Sequence, residues 1–297
     1  MIVVNKSSRQ ITYRFLFYSE AQVTFILFSS TGTFFEKMDP KIEEMAKDND
    51  YATNFDPKVY LETYYCKIEG HMFVPTTLKS QHKIYSTGTV KGKRLLDMGC
   101  GPTIHNVMPA AKWFDEIILS DYTPANLEAQ KKWLNKDKDA ADWTQFFKYF
   151  SKLDGNEDDW LKLETELRNK IKQVVPCDVH LANPLHPLKI DMVDAICTSL
   201  CLVPACPDVP SYAKALKNVV SLLKPGGMLV LLEIFDSPIY TVGHKVFKCL
   251  GLQKQDALNA IEAAGLTVLE VYDYDIAVVD PLAPSSGIAV FHAQKNA

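Results

Sequence analysis

From Arg94 onward, short apolar runs alternate with helix-length amphipathic segments, and that alternation restricts the chain to few folds. Arg94–Met98 (RLLDM), Glu116–Ser120 (EIILS), Val174–Val179, Met192–Leu202 and Met228–Phe235 read as strands. Between them, Ile104, Val107, Met108 and Ala111 follow helical spacing, and Thr123-Pro124 opens a second helix. Asp139 to Gln173 reads as one or two amphipathic helices with a turn at Asp154-Gly155-Asn156. A helix over Ser211–Leu223 ends at Lys224-Pro225-Gly226-Gly227, and another over Asp256–Ala264 stops at Gly265. Thr267–Tyr274 and Gly287–Gln294 are two last strands with no helix between them, so they pair antiparallel. The pattern predicts an α/β, Rossmann-like, mostly parallel sheet covered on both faces, with one antiparallel strand. In such sheets a ligand lies at the carboxyl ends of the strands.

Upstream, Asp39 to Glu69 reads helical, with Asp56-Pro57 as a capping residue before proline at the first helical position. Tyr60, Tyr64 and Tyr65 follow on that helix and read first as packing residues. The first forty residues differ. Lys6, Arg9 and Arg14 precede an apolar stretch, Phe15 to Phe28, that Ser19, Glu20, Gln22 and Thr24 interrupt. A spanning helix needs ~20 mostly apolar residues and a secretory signal a clean apolar run, so neither fits. A basic, acid-poor segment also describes an organellar presequence. The simplest expectation is an extension over residues 1–38, possibly disordered, ahead of one domain over 39–297 whose N-terminal helices form a lid. The seven cysteines are odd in number and lack a C-x-x-C pair, which argues against a zinc ribbon or a disulfide framework. A reducing, cytoplasmic address follows, with no metal and no membrane expected. A net charge of −4 argues against a nucleic-acid partner.

The chemistry-bearing motif is D-M-G-C-G-P-T, Asp97 to Thr103, between the first strand and the next helical pattern. Gly99 and Gly101 let a ligand approach the backbone, and Asp121, twenty residues after Gly101 at the end of the next strand, can take both hydroxyls of a ribose. A dinucleotide fingerprint places a third small residue where this chain has Ile104. Asp97 also puts an acid where a diphosphate would avoid one. S-adenosylmethionine, with an amino group, a sulfonium, a ribose and no phosphate, suits the motif better than NAD. An NAD-dependent oxidoreductase is the competing reading.

Together FDPKVYLETYY, LLDMGCGPTIH, SDYTPANLE, PCDV, SLCLVPACPD and SLLKPGGMLVL resemble the family of nicotinamide, phenylethanolamine and indolethylamine N-methyltransferases, class I enzymes that use S-adenosylmethionine. The resemblance runs from about Asn54 to Lys295 and is strongest to the nicotinamide members. It implies that Tyr60 and Tyr65 close over the methionine end of the cofactor, that Gly99, Gly101 and Thr103 form the loop beneath it, and that His105 belongs to the same shell. It further implies Asp121 on the ribose with Tyr122 beside it, Asn126 at the same end, Asp178 and Val179 at the adenine, and Ser199 near the cofactor.

On the acceptor side the resemblance makes Glu233 a hook or base for the substrate nitrogen, with Tyr60, Ser237, Tyr240 and Cys249 lining the site. Glu233 stands where the nicotinamide enzymes carry Asp and the phenylethanolamine enzymes Glu. Val203 replaces an acid, Cys249 a serine and His105 a tyrosine. The expected activity is N-methylation of a small molecule, nicotinamide or a related pyridine first. An arylalkylamine acceptor, or a cofactor-binding protein without turnover, are the alternatives, and a monomer is expected.

Overall fold

The computed structural model describes residues 50–68, 73–274 and 285–297 with their side chains, and the backbone of three strands within residues 5–29. Those strands, β1 (Asn5–Ser7), β2 (Gln10–Ser19) and β3 (Gln22–Ser29), form an antiparallel sheet, in which Phe15 to Phe28 lies. Residues 30–49, which hold most of the first expected helical segment, lie outside the described residues.

Among the described residues three helices precede the main sheet: α1 (Tyr51–Asn54), α2 (Pro57–Tyr64) and α3 (Phe73–Ser86). Asp56 caps α2 as its sequence predicts, accepting from the backbone N–H of Lys58 at 2.9 Å and of Val59 at 3.2 Å. Helix α3, which the pattern had not revealed, carries Pro75 in its first turn, where a missing N–H costs nothing.

The main sheet comprises β4 (Gly92–Met98), β5 (Phe114–Asp121), β6 (Ile171–Pro176), β7 (Val193–Ser199), β8 (Leu223–Phe235), β11 (Leu266–Tyr274) and β12 (Gly287–Lys295), in the order β11-β12-β8-β7-β4-β5-β6. β12 runs antiparallel to both neighbours, and the other pairs are parallel. The expected single reversed strand is therefore present. The observed β6 begins three residues earlier than expected and ends before Cys177. β8 begins at Leu223, because the Lys224–Gly227 turn forms a bulge between the Val193↔Leu223 and Ala195↔Met228 pairs and does not end the element.

Each strand shows its two faces to different cores. Leu95, Ile117, Leu119 and Val230 pack on the side of α3, α5 (Thr144–Leu153) and α6 (Trp160–Lys170). Leu96, Ile118, Ile196, Leu229 and Leu231 pack on the side of α8 (Val209–Val220) and α9 (Lys254–Ala263). Burial on both faces explains why these strands read as continuous apolar runs.

The helix expected from Ile104 to Ala111 is absent. Pro109 sits in its interior and cannot donate, so the segment forms two 3-10 turns, His105–Val107 and Ala111–Trp113, with i→i−3 bonds. Thr123 also departs from expectation. Helix α4 (Pro124–Asn135) starts where predicted, yet the Thr123 side chain makes no cap bond to it.

A hairpin that sequence reasoning missed, β9 (Ile239–Val242) and β10 (Lys245–Lys248), turns over Gly243-His244. A glycine opening a two-residue turn between Thr241-Val242 and Lys245-Val246 was the available signal. The hairpin holds α1 and α2. The Tyr64 hydroxyl donates to the Thr241 carbonyl at 2.7 Å, and Lys245 Nζ donates to the Asn54 carbonyl at 2.9 Å. Tyr51, Phe55 and Phe247 interlock between them. Among the described residues no helix is long and apolar enough to cross a membrane. Tyr64→Phe should cost about 1 kcal/mol and speed amide exchange in residues 51–64 and 239–248 while β4 and β7 stay protected. Equal loss of protection in the central sheet would contradict this docking.

Candidate functional site

The carboxyl ends of the parallel strands gather the acids that the sequence singled out. Asp97 is the last residue but one of β4, Asp121 ends β5, Ser199 ends β7, and Glu233 lies near the end of β8. Asp97 is fully buried and neither of its carboxyl oxygens has a hydrogen-bond partner. Burial pushes its pKa up to about 7; the nearby Cys197 thiol tempers the rise without closing a bond of normal geometry, and the Asp121 charge adds to it.

Asp121 is better held. Its Oδ2 accepts from the Gly101 N–H at 2.8 Å, and its Oδ1 accepts from the Thr123 N–H at 2.8 Å and Asn126 Nδ2 at 2.9 Å. Burial still holds its pKa above the ordinary carboxylate value, against those three bonds. Asp121 thus fastens both the glycine loop and the start of α4, the task expected of Thr123. Gln130, one turn beyond Asn126, donates to the Gly101 carbonyl at 2.9 Å and the Thr103 carbonyl at 2.8 Å. Sequence reasoning missed Gln130; its i, i+4 spacing from Asn126 on a buried face was the signal.

These bonds engage the loop's donors. The Cys100 N–H goes to the Ser120 carbonyl and the Thr103 N–H to the Cys100 carbonyl. With no α-helix behind the loop, no fan of free N–H groups is presented to a pyrophosphate. A phosphate-free cation fits the residues present, because the buried polar atoms left without a hydrogen bond around the loop, both Asp97 oxygens, Asn126 Oδ1 and Gln130 Oε1, are all acceptors.

The N-terminal helices bring aromatic rings to one side. Tyr60 and Tyr65 are half-buried, with ring centroids 5.5 Å apart, and Tyr65 leads to His105 at 5.1 Å and to Trp143 at 5.9 Å. Burial raises both phenols; Tyr60 also lies close enough to Asp121 to feel its charge, and it lies near the Cys249 thiol. One tyrosine therefore faces the acids of the loop and the Glu233 side together. Tyr122 is 54% exposed at the rim beside Asp121. Asp178 falls just beyond β6, where its Oδ1 accepts from the His180 N–H at 2.9 Å, and Val179 behind it is buried.

Glu233 is fully buried. Its Oε1 accepts from the Tyr212 hydroxyl at 3.0 Å, and its Oε2 has no partner. Burial pushes its pKa up to about 8, against the Tyr212 hydrogen bond. Cys249, Cys206 and Cys201 lie within reach of its charge, which with burial raises all three thiols. Tyr240 stacks on Phe247 at 5.3 Å, and its hydroxyl is buried without a partner. The Ser237 hydroxyl donates to the Ile239 carbonyl at 3.2 Å. Val203 is fully buried on α7 (Leu202–Ala205). All seven cysteines are free thiols. Among the described residues no three side chains are placed to hold a metal ion.

Gly99 and Gly101 have different reasons to be glycine. Both have positive φ, +70° and +59°. A Cβ at Gly99 would collide with the Cys201 side chain, whereas one at Gly101 would meet nothing within 4 Å. Gly101→Ala should therefore cost about 1 kcal/mol for its backbone alone, and Gly99→Ala clearly more, about 2 kcal/mol or above. Urea unfolding checks the order; equal costs would contradict the close packing of Cys201.

Comparison with known proteins agrees with this geometry. Residues 43–296 match the model of the NNMT/PNMT/TEMT family. The chain is 38% identical to nicotinamide N-methyltransferase of Homo sapiens over 222 residues, 73% of this chain and 84% of that protein. It is 35% identical to indolethylamine N-methyltransferase of Oryctolagus cuniculus over 252 residues, 84% of this chain and 96% of that protein. Among solved structures, a SAM-dependent methyltransferase of Methanosarcina mazei superposes with a TM-score of 0.51 at 12% identity, covering 72% of this chain and 97% of that one, which shows the shared fold. A family match over residues 43–296 and relatives above 30% identity along most of the chain show that it belongs to the NNMT/PNMT/TEMT family of S-adenosylmethionine-dependent N-methyltransferases.

Proposed function

We propose that the acceptor is an arylalkylamine, methylated on its amine nitrogen at Glu233. The carrying observation is the unpartnered Oε2 of a fully buried carboxyl whose pKa lies near 8. An alkylammonium, about 10 in water, cannot be methylated until it loses a proton. An ordinary carboxylate is too weak to take it, and burial brings Glu233 closer to the match that proton transfer needs. The ring of the acceptor finds aromatic walls in Tyr60 and Tyr240.

A pyridine carboxamide is the second reading, favoured by the identity to the human nicotinamide enzyme. Against it, Val203 and Cys249 offer an amide no oxygen or nitrogen partner, and a buried amide left unpaired costs about 1–3 kcal/mol.

On this reading Asp97 faces the positive methionine end of the cofactor and Asp121 and Asn126 the ribose, with Asp178 and Val179 at the adenine. Tyr60 and Tyr65 close the lid, and Ser199 lies beside the methyl group's path. When bound, S-adenosylmethionine supplies a methyl group on a sulfonium that departs as a neutral thioether, so no acid is required for the leaving group. The chain's residues orient the acceptor, exclude water and take the acceptor's proton onto Oε2.

A panel of tryptamine, phenylethanolamine and nicotinamide, read by mass of the product, tests the acceptor. Methylated arylalkylamine is expected, and turnover of nicotinamide alone would reverse the assignment. Glu233→Gln should lower kcat/KM for the amine by about 10²–10⁴-fold, the usual worth of a proton-transfer group, and remove the ionisation near pH 8 from the profile. An unchanged rate and profile would remove Glu233 from the reaction.

A further inference from the structure

Tyr212 occupies an unexplained position. It lies on α8, away from the motif loops, and its ring is fully buried in the core beneath the sheet. A buried phenol needs a partner, and this one bonds an oxygen of the Glu233 carboxyl, whose other oxygen accepts no hydrogen bond. Burial and the neighbouring Glu233 charge raise the Tyr212 phenol well above its ordinary value, so it keeps its proton at every working pH. Its hydroxyl donates to Oε1 of the ionised carboxyl. A proton that Glu233 takes up without breaking that bond goes to Oε2, the oxygen without a partner.

We propose that Tyr212 is a positioning residue that fixes the Glu233 carboxyl, assigning Oε1 to the fold and leaving Oε2 alone to meet the acceptor nitrogen. The inference rests on Glu233 being the group that receives the acceptor's proton. The other groups facing that carboxyl are thiols: Cys201 from the loop after β7, Cys206 from the turn before α8, and Cys249 from the segment after β10. Burial keeps all three protonated, so none competes for the proton near neutrality. Tyr212 thus contributes in two ways: it selects the reacting oxygen, and by donating to the ionised form it keeps Glu233 from rising further.

Tyr212→Phe keeps the ring and removes only the hydroxyl. Losing a hydrogen bond to a charged group corresponds to about one to two pK units. The acid limb of kcat/KM for the amine acceptor should move up by at least one pH unit, with about a tenfold loss of rate below it. Affinity for S-adenosylmethionine should be unchanged. A variant with a lower Tm but an unmoved limb would reduce Tyr212 to a packing residue and overturn the proposal.

Infrared titration of the apo protein, taken as a difference against Glu233→Gln, gives a second readout that needs no turnover. Tyr212→Phe should raise the titration midpoint of the Glu233 carboxyl by the same amount. In the unsubstituted protein the protonated carboxyl should show the carbonyl band of a C=O that accepts a hydrogen bond. A free-carbonyl band would overturn the proposal even if the variant does not fold. If both infrared results hold while no amine is methylated, the assignment of the acceptor fails and the role of Tyr212 in orienting the carboxyl stands.

Discussion

The structure depends on acids that the sheet carries out of water before anything arrives to balance them. Asp97 and Glu233 are fully buried and Asp121 nearly so. Desolvation is the largest influence on each, and all three are held above their ordinary pKa. A buried, unpaired polar group costs free energy that the apolar cores on either side of the sheet must offset. Such an arrangement makes sense when the missing partner is a ligand with positive charge. The same three acids would repel a pyrophosphate, which is why the glycine loop here does not resemble a dinucleotide site in function although it does in outline.

The acids are graded. Asp121 has three donors and works partly as scaffold, tying the Gly101 loop to Asn126 and α4. Glu233 has one donor, Tyr212. Asp97 has none. The less a carboxyl is used by the fold, the more of it is available to a ligand. On the proposed reading this order separates cofactor charge at Asp97 from proton transfer at Glu233, with Tyr60 placed close to both Asp121 and Cys249.

The legible parts of the chain were those written locally. The strand at Leu95 and Leu96, the Asp56 cap and the closing antiparallel pair each depend on neighbouring residues, and each is where expected. The strand–helix alternation placed the fold, and the glycine loop with Asp97, Ile104 and Asp121 placed the cofactor class; the comparisons show both. Helix α3 escaped, and so did three further features. The helix after the glycine loop failed because spacing was weighed without Pro109. The β9–β10 hairpin was hidden in a stretch read as substrate-lining loop, although Gly243 marked its turn. Tyr212 and Gln130 act through contacts 21 and 29 residues away along the chain, and no local pattern reveals a partner at that distance.

If buried acids await a cation, binding that cation must release protons. Calorimetry of S-adenosylmethionine binding in buffers of different ionisation heat, between about pH 6 and 9, reads this directly. Asp97, protonated below about 7 in the free protein, has to ionise against the bound charge. Affinity should therefore rise with pH through about 7 and then level off, with proton release on the low side, and Asp97→Asn should abolish both. An affinity independent of pH, with no proton released, would contradict the account.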